Sequence, residues 1–296
     1  MTRYHPGLYR REEDSRVVPV WEIKIPYGEV ARMNSFLSYL GGKSLLANKI
    51  IPKVPEHTCY CEVFAGAAWL LFRKEESQIE ILNDINADLV TLYRVVKHHL
   101  DEFIRYFRWL LVSREEFERF KTTPSEVLTD IQKAVKFYYL LKAGFGSRIK
   151  SPTFSISTLR HSNFNLLRIE EELSAAHLRL SRVYVENLPY GKVIERFDKP
   201  HTFFYIDPPY YNCENYYGDG IFTRGDFEKL RDLLQKIKGK FILSINDVPE
   251  IRKLFSGFRI ERIGTSYSCT KAQKVQAREL LIMNFKPPRK GPYSVV

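Results

Sequence analysis

Hydrophobic and polar positions fall into a regular order only after residue 33. Residues 1–33 mix Arg, Glu, Asp and Pro without periodicity, and are expected to form a weakly ordered extension. Beyond Met33, the spacing of Leu45, Leu46 and Ile50, stopped by Pro52, predicts a helix. A buried strand is expected over 58–64, then a turn of small residues (Ala65, Gly66, Ala67, Ala68), then a helix from Trp69. A second short strand over 79–82 runs into Asn83-Asp84 and is followed by a helix over 87–98. Residues 99–145 are helical in pattern until Gly144, Gly146 and Ser147 break them, and another helix is predicted over 166–180. Strand patterns return at 183–185, 202–206, 240–245, 258–263 and 279–284.

Strand, small-residue turn, helix, strand, acid is the grammar of an α/β fold that binds a nucleotide-like ligand at the carboxyl ends of its strands. The expected architecture is a Rossmann-like α/β domain assembled from residues 34–98 and 181–285. Residues 99–180 are expected to form an inserted, mostly helical lobe, and 286–296 a tail. The chain of 296 residues is 44% hydrophobic, enough for one sizeable core and a smaller second part. No run of about 18 uncharged apolar residues is present, and the N-terminus lacks the apolar segment of a secretory signal. No membrane contact is expected, and a cytoplasmic location is. Of the four cysteines, Cys59 and Cys61 fall on one predicted strand with side chains expected to diverge. Without a C-x-x-C pair, neither a zinc site nor a disulfide framework is expected.

The net charge of +11 fits a polyanionic partner, and its distribution narrows the choice. No Asp or Glu occurs from Ile131 to Ile169, yet Lys133, Lys136, Lys142, Arg148, Lys150, Arg160 and Arg168 do, among six Phe and Tyr residues. A solvated face ordinarily carries both signs. Basic groups interleaved with aromatics fit phosphate contact and base packing, which makes Arg148, Lys150 and Arg160 candidate DNA ligands in the helical lobe. Lys271 and Arg278, before the last strand, are weaker candidates, balanced against an ordinary solvated hairpin.

Asp207-Pro208-Pro209-Tyr210 follows the apolar strand ending in Ile206, so Asp207 should project from a strand end into a cleft. These residues suit methylation of an exocyclic amine. The lone pair of such a nitrogen is delocalised into the ring, and two acceptors on its N–H groups would localise it. Asp207 offers a carboxylate. Pro208, with fixed φ and no N–H, offers a rigid carbonyl. Tyr210 offers an aromatic face, and a base must leave the duplex to reach it. The leaving group is a neutral thioether, so no metal is expected.

Four segments in this order resemble the Dam-type (D12, or α-group) DNA adenine N6-methyltransferases. Phe36-Leu37-Ser38-Tyr39-Leu40-Gly41-Gly42-Lys43 resembles the N-terminal Gly-Gly-Lys motif, with Tyr39 where the family more often has Trp. Glu62 to Ala68 resembles the F-x-G-x-G cofactor loop, Asn83 to Leu89 the D-I-N element, and Asp207 to Tyr210 the catalytic motif. The resemblance implies an S-adenosylmethionine-dependent enzyme acting on a flipped-out adenine in double-stranded DNA, with the helical lobe as the DNA-recognition part. It implies Tyr39, Lys43, Phe64, Gly66, Asp84, Ile85 and Asp207 as cofactor-binding residues, Asp84 toward the ribose hydroxyls and Ile85 against the cofactor adenine. Ala68 stands where the loop has its second glycine, and is read as a position that needs close packing rather than positive φ. The 60 residues between Gly146 and Asp207 are few for the family's specificity region. An RNA adenine methyltransferase, a glutamine-N5 protein methyltransferase and an inactive DNA-binding module of the same fold are the alternatives. Recognition sequence, oligomeric state and a partner endonuclease are left open.

Overall fold

The computed structural model describes residues 33–39, 43–147, 152–156, 164–214, 220–270 and 273–288. Its strands are β1 (Cys59–Glu62), β2 (Ile79–Asn83), β3 (Val183–Glu186), β4 (Thr202–Ile206), β5 (Lys240–Asn246), β6 (Arg259–Thr270) and β7 (Gln273–Met283). They form one seven-stranded sheet in the order β3-β2-β1-β4-β5-β7-β6. The first five are parallel, while β7 runs antiparallel to both β5 and β6. This is the expected Rossmann-like α/β arrangement, closed on one side by a hairpin. Chain order reverses between β1 and β4, which leaves a crevice at the carboxyl ends of those strands.

The central strands are buried on both faces, hence their near-continuous apolar runs: every residue of β1 and of β4 is buried. One face packs Tyr60, Leu82, Phe203 and Tyr205 against α1 (Ala47–Ile50), α2 (Trp69–Arg73), α3 (Ala87–His98), α6 (Asp130–Ala143) and α7 (Leu166–Leu180). The other packs Ile81, Phe204, Leu243 and Ile282 against α8 (Tyr190–Phe197), α9 (Arg224–Leu234) and α10 (Pro249–Leu254). Cys59 and Cys61 both belong to this second face, so they do not diverge as expected. Side chains two apart on a strand share a side.

Helices α3 and α7 span the expected residues, and each begins at an asparagine whose side chain accepts from a first-turn N–H, Asn86 and Asn165. The predicted helix around Leu45 is short: α1 gives way to a 3₁₀ turn, Ile51–Lys53, that holds Pro52. Between β2 and β3, α4 (Leu100–Arg108), α5 (Arg114–Thr122) and α6 precede α7. Phe103, Phe107, Tyr138 and Leu173 from these helices belong to the same core cluster as Tyr60 and Tyr205 of the sheet. Three helices, α8, α9 and α10, lie between predicted strands, where no element was expected.

A buried ionic cluster joins the helices to the sheet. Glu80 on β2 receives Lys74 Nζ and both terminal nitrogens of Arg179 on α7, and Arg179 Nη2 also donates to the Leu71 carbonyl at 2.8 Å. All three side chains are at most 4% exposed. The Lys74 ammonium lies 4.2 Å from the Tyr60 ring centre.

Candidate active site

A cavity of about 450 Å³ opens at the carboxyl ends of β1, β2 and β4. The turn after β1 forms its floor. Gly66, at φ +48°, donates its N–H to Asp84 Oδ2 at 3.0 Å, and its carbonyl accepts from the Tyr93 hydroxyl at 2.7 Å. A Cβ at Gly66 would meet the Tyr39 ring at 3.4 Å, an ordinary contact, so it is the positive φ that would strain a side chain there. Ala68 has φ +51° and precedes the first residue of α2, so the expectation of a mere packing position was wrong. The position is left-handed, which explains why a glycine suits it, and alanine accepts the strain.

Asp84 follows β2. Besides the Gly66 bond, its Oδ1 accepts from the Asn86 N–H at 2.9 Å, so backbone donors fix the carboxylate at the cavity wall. A carboxylate has about four acceptor sites, and two such bonds leave capacity for ligand hydroxyls. Burial pushes its pKa up, opposed by these backbone bonds. Asn83 ties the site's edges together: its Nδ2 donates to the Val63 and Leu188 carbonyls at 2.9 and 3.0 Å, and its Oδ1 accepts from Leu188 N–H at 2.9 Å. Aromatic walls complete this end. Phe64 stacks with Tyr190 at 5.8 Å between centroids and meets Phe222 edge-on at 5.9 Å. Ile85, 42% exposed, supplies an apolar flank.

The opposite end is built from side chains. Asp207 follows β4 and lines the cavity, as does Pro209; Pro208 is buried beside them. Asp207 Oδ1 accepts from Ser244 Oγ on β5 at 2.8 Å and lies 3.0 Å from Lys43 Nζ. Ser244 Oγ is in turn 2.8 Å from the Tyr205 hydroxyl. Lys43 is 4% exposed and also donates to the Tyr210 hydroxyl at 2.6 Å. Tyr210 donates to Glu279 on β7. Burial raises the Asp207 pKa to about 6; Lys43 opposes the rise and Glu279 adds to it. Glu62, also at the wall, accepts from the Tyr60 hydroxyl at 2.6 Å and from Leu71 N–H at 2.7 Å, and burial lifts its pKa to about 7.

The structure therefore brings Tyr39, Lys43, Phe64, Gly66, Asp84, Ile85, Asp207 and Pro209 to one cavity. Tyr210 touches it through Lys43. Arg278 is exposed on β7, and Arg148, Lys150, Arg160 and Lys271 lie outside the described residues, as does the extension before residue 33. Sequence reasoning missed Glu62, Ser244 and Glu279 as site members, and Tyr190 and Phe222 as walls. Glu62 had been quoted within the loop motif. For Ser244 and Glu279 the only signal was a polar residue beside apolar strand positions, and Tyr190 and Phe222 carried none. Among the described residues no helix is long and apolar enough to cross a membrane.

Residues 39–269 match the family described as D12 class N6 adenine-specific DNA methyltransferase. The chain is 24% identical over 232 residues to the type II methyltransferase M.CviBI of a Paramecium bursaria Chlorella virus, covering 76% of this chain and 88% of that one. It is 26% identical over 289 residues to the type II methyltransferase M.MjaIII of Methanocaldococcus jannaschii, covering 84% and 98%. It is 28% identical over 183 residues to a DNA adenine methylase of Escherichia coli, covering 60% and 64%.

Proposed function

Because the chain belongs to the D12 class of N6 adenine-specific DNA methyltransferases, which are S-adenosylmethionine-dependent enzymes, we propose that the cavity between β1, β2 and β4 is where it transfers the methyl group to adenine. The observation that carries the reading is the convergence of Tyr39, Lys43, Phe64, Gly66, Asp84, Ile85 and Asp207, from four separated segments, on that one space.

The residues fit the donor. Asp84 has acceptor capacity for ribose hydroxyls, and Ile85 and the aromatic walls suit a heterocycle. Glu62, Asp84 and Asp207 give the cavity a carboxylate lining that complements a cation. When bound, S-adenosylmethionine supplies a methyl group on a sulfonium and leaves as a neutral thioether, chemistry that calls for no metal.

Asp207 is the acceptor for one N–H of the target amino group. Its Oδ1 is held by Ser244 and Lys43, so Oδ2 is the oxygen turned to the base. The Pro208 carbonyl takes the second N–H, and Tyr210 packs on the extruded base. As the nitrogen bonds to carbon it gains positive charge, and the bond to Asp207 strengthens, lowering the barrier rather than only aiding binding. The surplus proton leaves along the same bond to a carboxylate whose pKa of about 6 lets it accept and release a proton near neutrality. Arg148, Lys150 and Arg160, with Lys271 and Arg278, are the proposed contacts to the phosphates of duplex DNA.

The test is the product. Purified protein with S-adenosylmethionine and duplex DNA lacking adenine methylation should yield N6-methyladenine, measured by mass spectrometry of the digested DNA. Asp207→Ala, still folded by circular dichroism, should lose about 10²–10³ in rate or more. Near-normal N6-methyladenine from that variant would remove Asp207 from the chemistry; product only on RNA would move the substrate.

A further inference from the structure

The corner around Asp207 holds another carboxylate that no motif marks. Glu279 is 1% exposed on β7, where it pairs with Asn246, the last residue of β5. Asn246 lies three residues beyond Leu243, the partner of Ile206 at the end of β4, so the register sets Glu279 level with the turn that follows β4. Its Oε1 accepts the Tyr210 hydroxyl, and its Oε2 lies 3.6 Å from Lys43 Nζ. The Lys43 ammonium sits 4.3 Å from the Tyr210 ring centre while donating to the same hydroxyl. A phenol has one proton to give. Giving it to Glu279 while accepting from Lys43 fixes the direction of the O–H and the rotation of the ring together. A buried carboxylate is costly unless paired, and here its partners are the Tyr210 hydroxyl and the Lys43 ammonium.

We infer that Glu279 is a positioning residue for methyl transfer, acting through the Tyr210 hydroxyl and the Lys43 ammonium to set the plane of the ring and the charge balance around Asp207. This rests on the roles given to Asp207 and Tyr210 above. Glu279 touches neither reacting atom. Without it the Tyr210 hydroxyl loses its acceptor, and Lys43 is drawn wholly toward Asp207, into the space of the target amino group. The groups facing Asp207 come from every neighbouring element: Lys43 from the segment before α1, Glu62 from β1, Tyr205 from β4, Ser244 from β5, Tyr210 from the turn and Glu279 from β7. Glu279 pushes the Asp207 carboxyl up and Lys43 holds it down. Removing Glu279 therefore moves the acid limb of the rate profile to lower pH, an effect that a merely structural residue would not produce.

The experiment uses the full chain with S-adenosylmethionine and unmethylated genomic DNA, measuring kcat, KM for the methyl donor and the pH profile of N6-methyladenine formation. Glu279→Leu should lower kcat about ten- to a hundred-fold, with KM for the donor changed by less than about three-fold, as for loss of a buried hydrogen bond to a charged acceptor. Glu279→Gln should recover part of the loss, because its amide carbonyl still accepts from Tyr210. Both should shift the acid limb downward. The Glu279→Leu, Tyr210→Phe double variant should lose no more than the worse single one, since both changes cut the same link. Wild-type kcat with an unmoved limb, or losses that multiply in the double variant, would overturn the inference. If Glu279→Leu does not fold, the limb of Glu279→Gln decides. Activity surviving in Asp207→Ala would instead overturn the parent reading, whatever Glu279 does.

Discussion

The two ends of the cavity are made from different materials. At the β1–β2 end the backbone does the holding: Asp84 is fixed by the N–H groups of Gly66 and Asn86, and the turn takes its shape from left-handed residues 66 and 68. At the β4–β5–β7 end, side chains do it: Lys43, Asp207, Tyr210, Ser244 and Glu279 hold one another, although Lys43 and Glu279 stand 236 residues apart in sequence. In a backbone cradle the holding groups themselves carry no titratable charge. A cluster of buried ionisable groups is tuned by charge, and it responds to any change in that charge. The two ends thus rest on different kinds of support, a division that substitutions can probe.

The largest effect is expected at the side-chain end. Lys43→Met leaves Asp207 and Glu279 facing each other without their shared cation, and should slow methyl transfer by about 10²–10³, the usual cost of losing one preorganised electrostatic partner. It should also move the acid limb upward from about pH 6, because Lys43 holds the Asp207 pKa down. Removal of Glu279 should move it the other way, and the same direction for both would break the electrostatic account of this end. Next comes the cradle: Asp84→Ala should weaken S-adenosylmethionine binding about ten- to a hundred-fold by calorimetry, with the acid limb unmoved. A moved limb would show that the two ends are coupled. The smallest effect is at Ala68. Ala68→Gly relieves a left-handed alanine and should raise stability by about 0.5–1 kcal/mol in urea unfolding, net of the extra freedom glycine gives the unfolded chain. No gain would mean that the turn at residue 68 carries no strain.

The same division explains what the sequence made legible. The cradle is local: Phe64 to Ala68 and Asn83 to Asn86 each form one short turn, so the residues that work together are also neighbours in sequence. Asp207 was readable for the same reason, at the end of an apolar strand. Glu279 and Ser244 were not. Each is a buried polar residue next to a run of buried apolar ones, and what gives it meaning is a partner on another element. The glycine missing at position 68 was noticed, but its backbone angle cannot be read from residue type alone. Among the helices, α9 did carry a signal, since Thr223 and Asp226 form a capping box, and α10 begins at Pro249; the stronger strand patterns around them drew the reading away. The basic stretch from residue 131 was legible as composition, yet Lys142 pairs with Glu172 on α7, so part of that charge is spent inside the protein.

The cluster of Lys74, Glu80 and Arg179 bears on how the enzyme could move along DNA. A hinge between the helices and the sheet would have to pull a guanidinium off a buried carboxylate, and separating such a pair costs about 3–5 kcal/mol. The population so opened at rest would be roughly one molecule in a hundred to one in several thousand. α7 therefore stays anchored to β2, and the cavity at the end of β2 keeps its place relative to that helix. Hydrogen exchange should register this as slow, shared protection of the amides of α7 and β2.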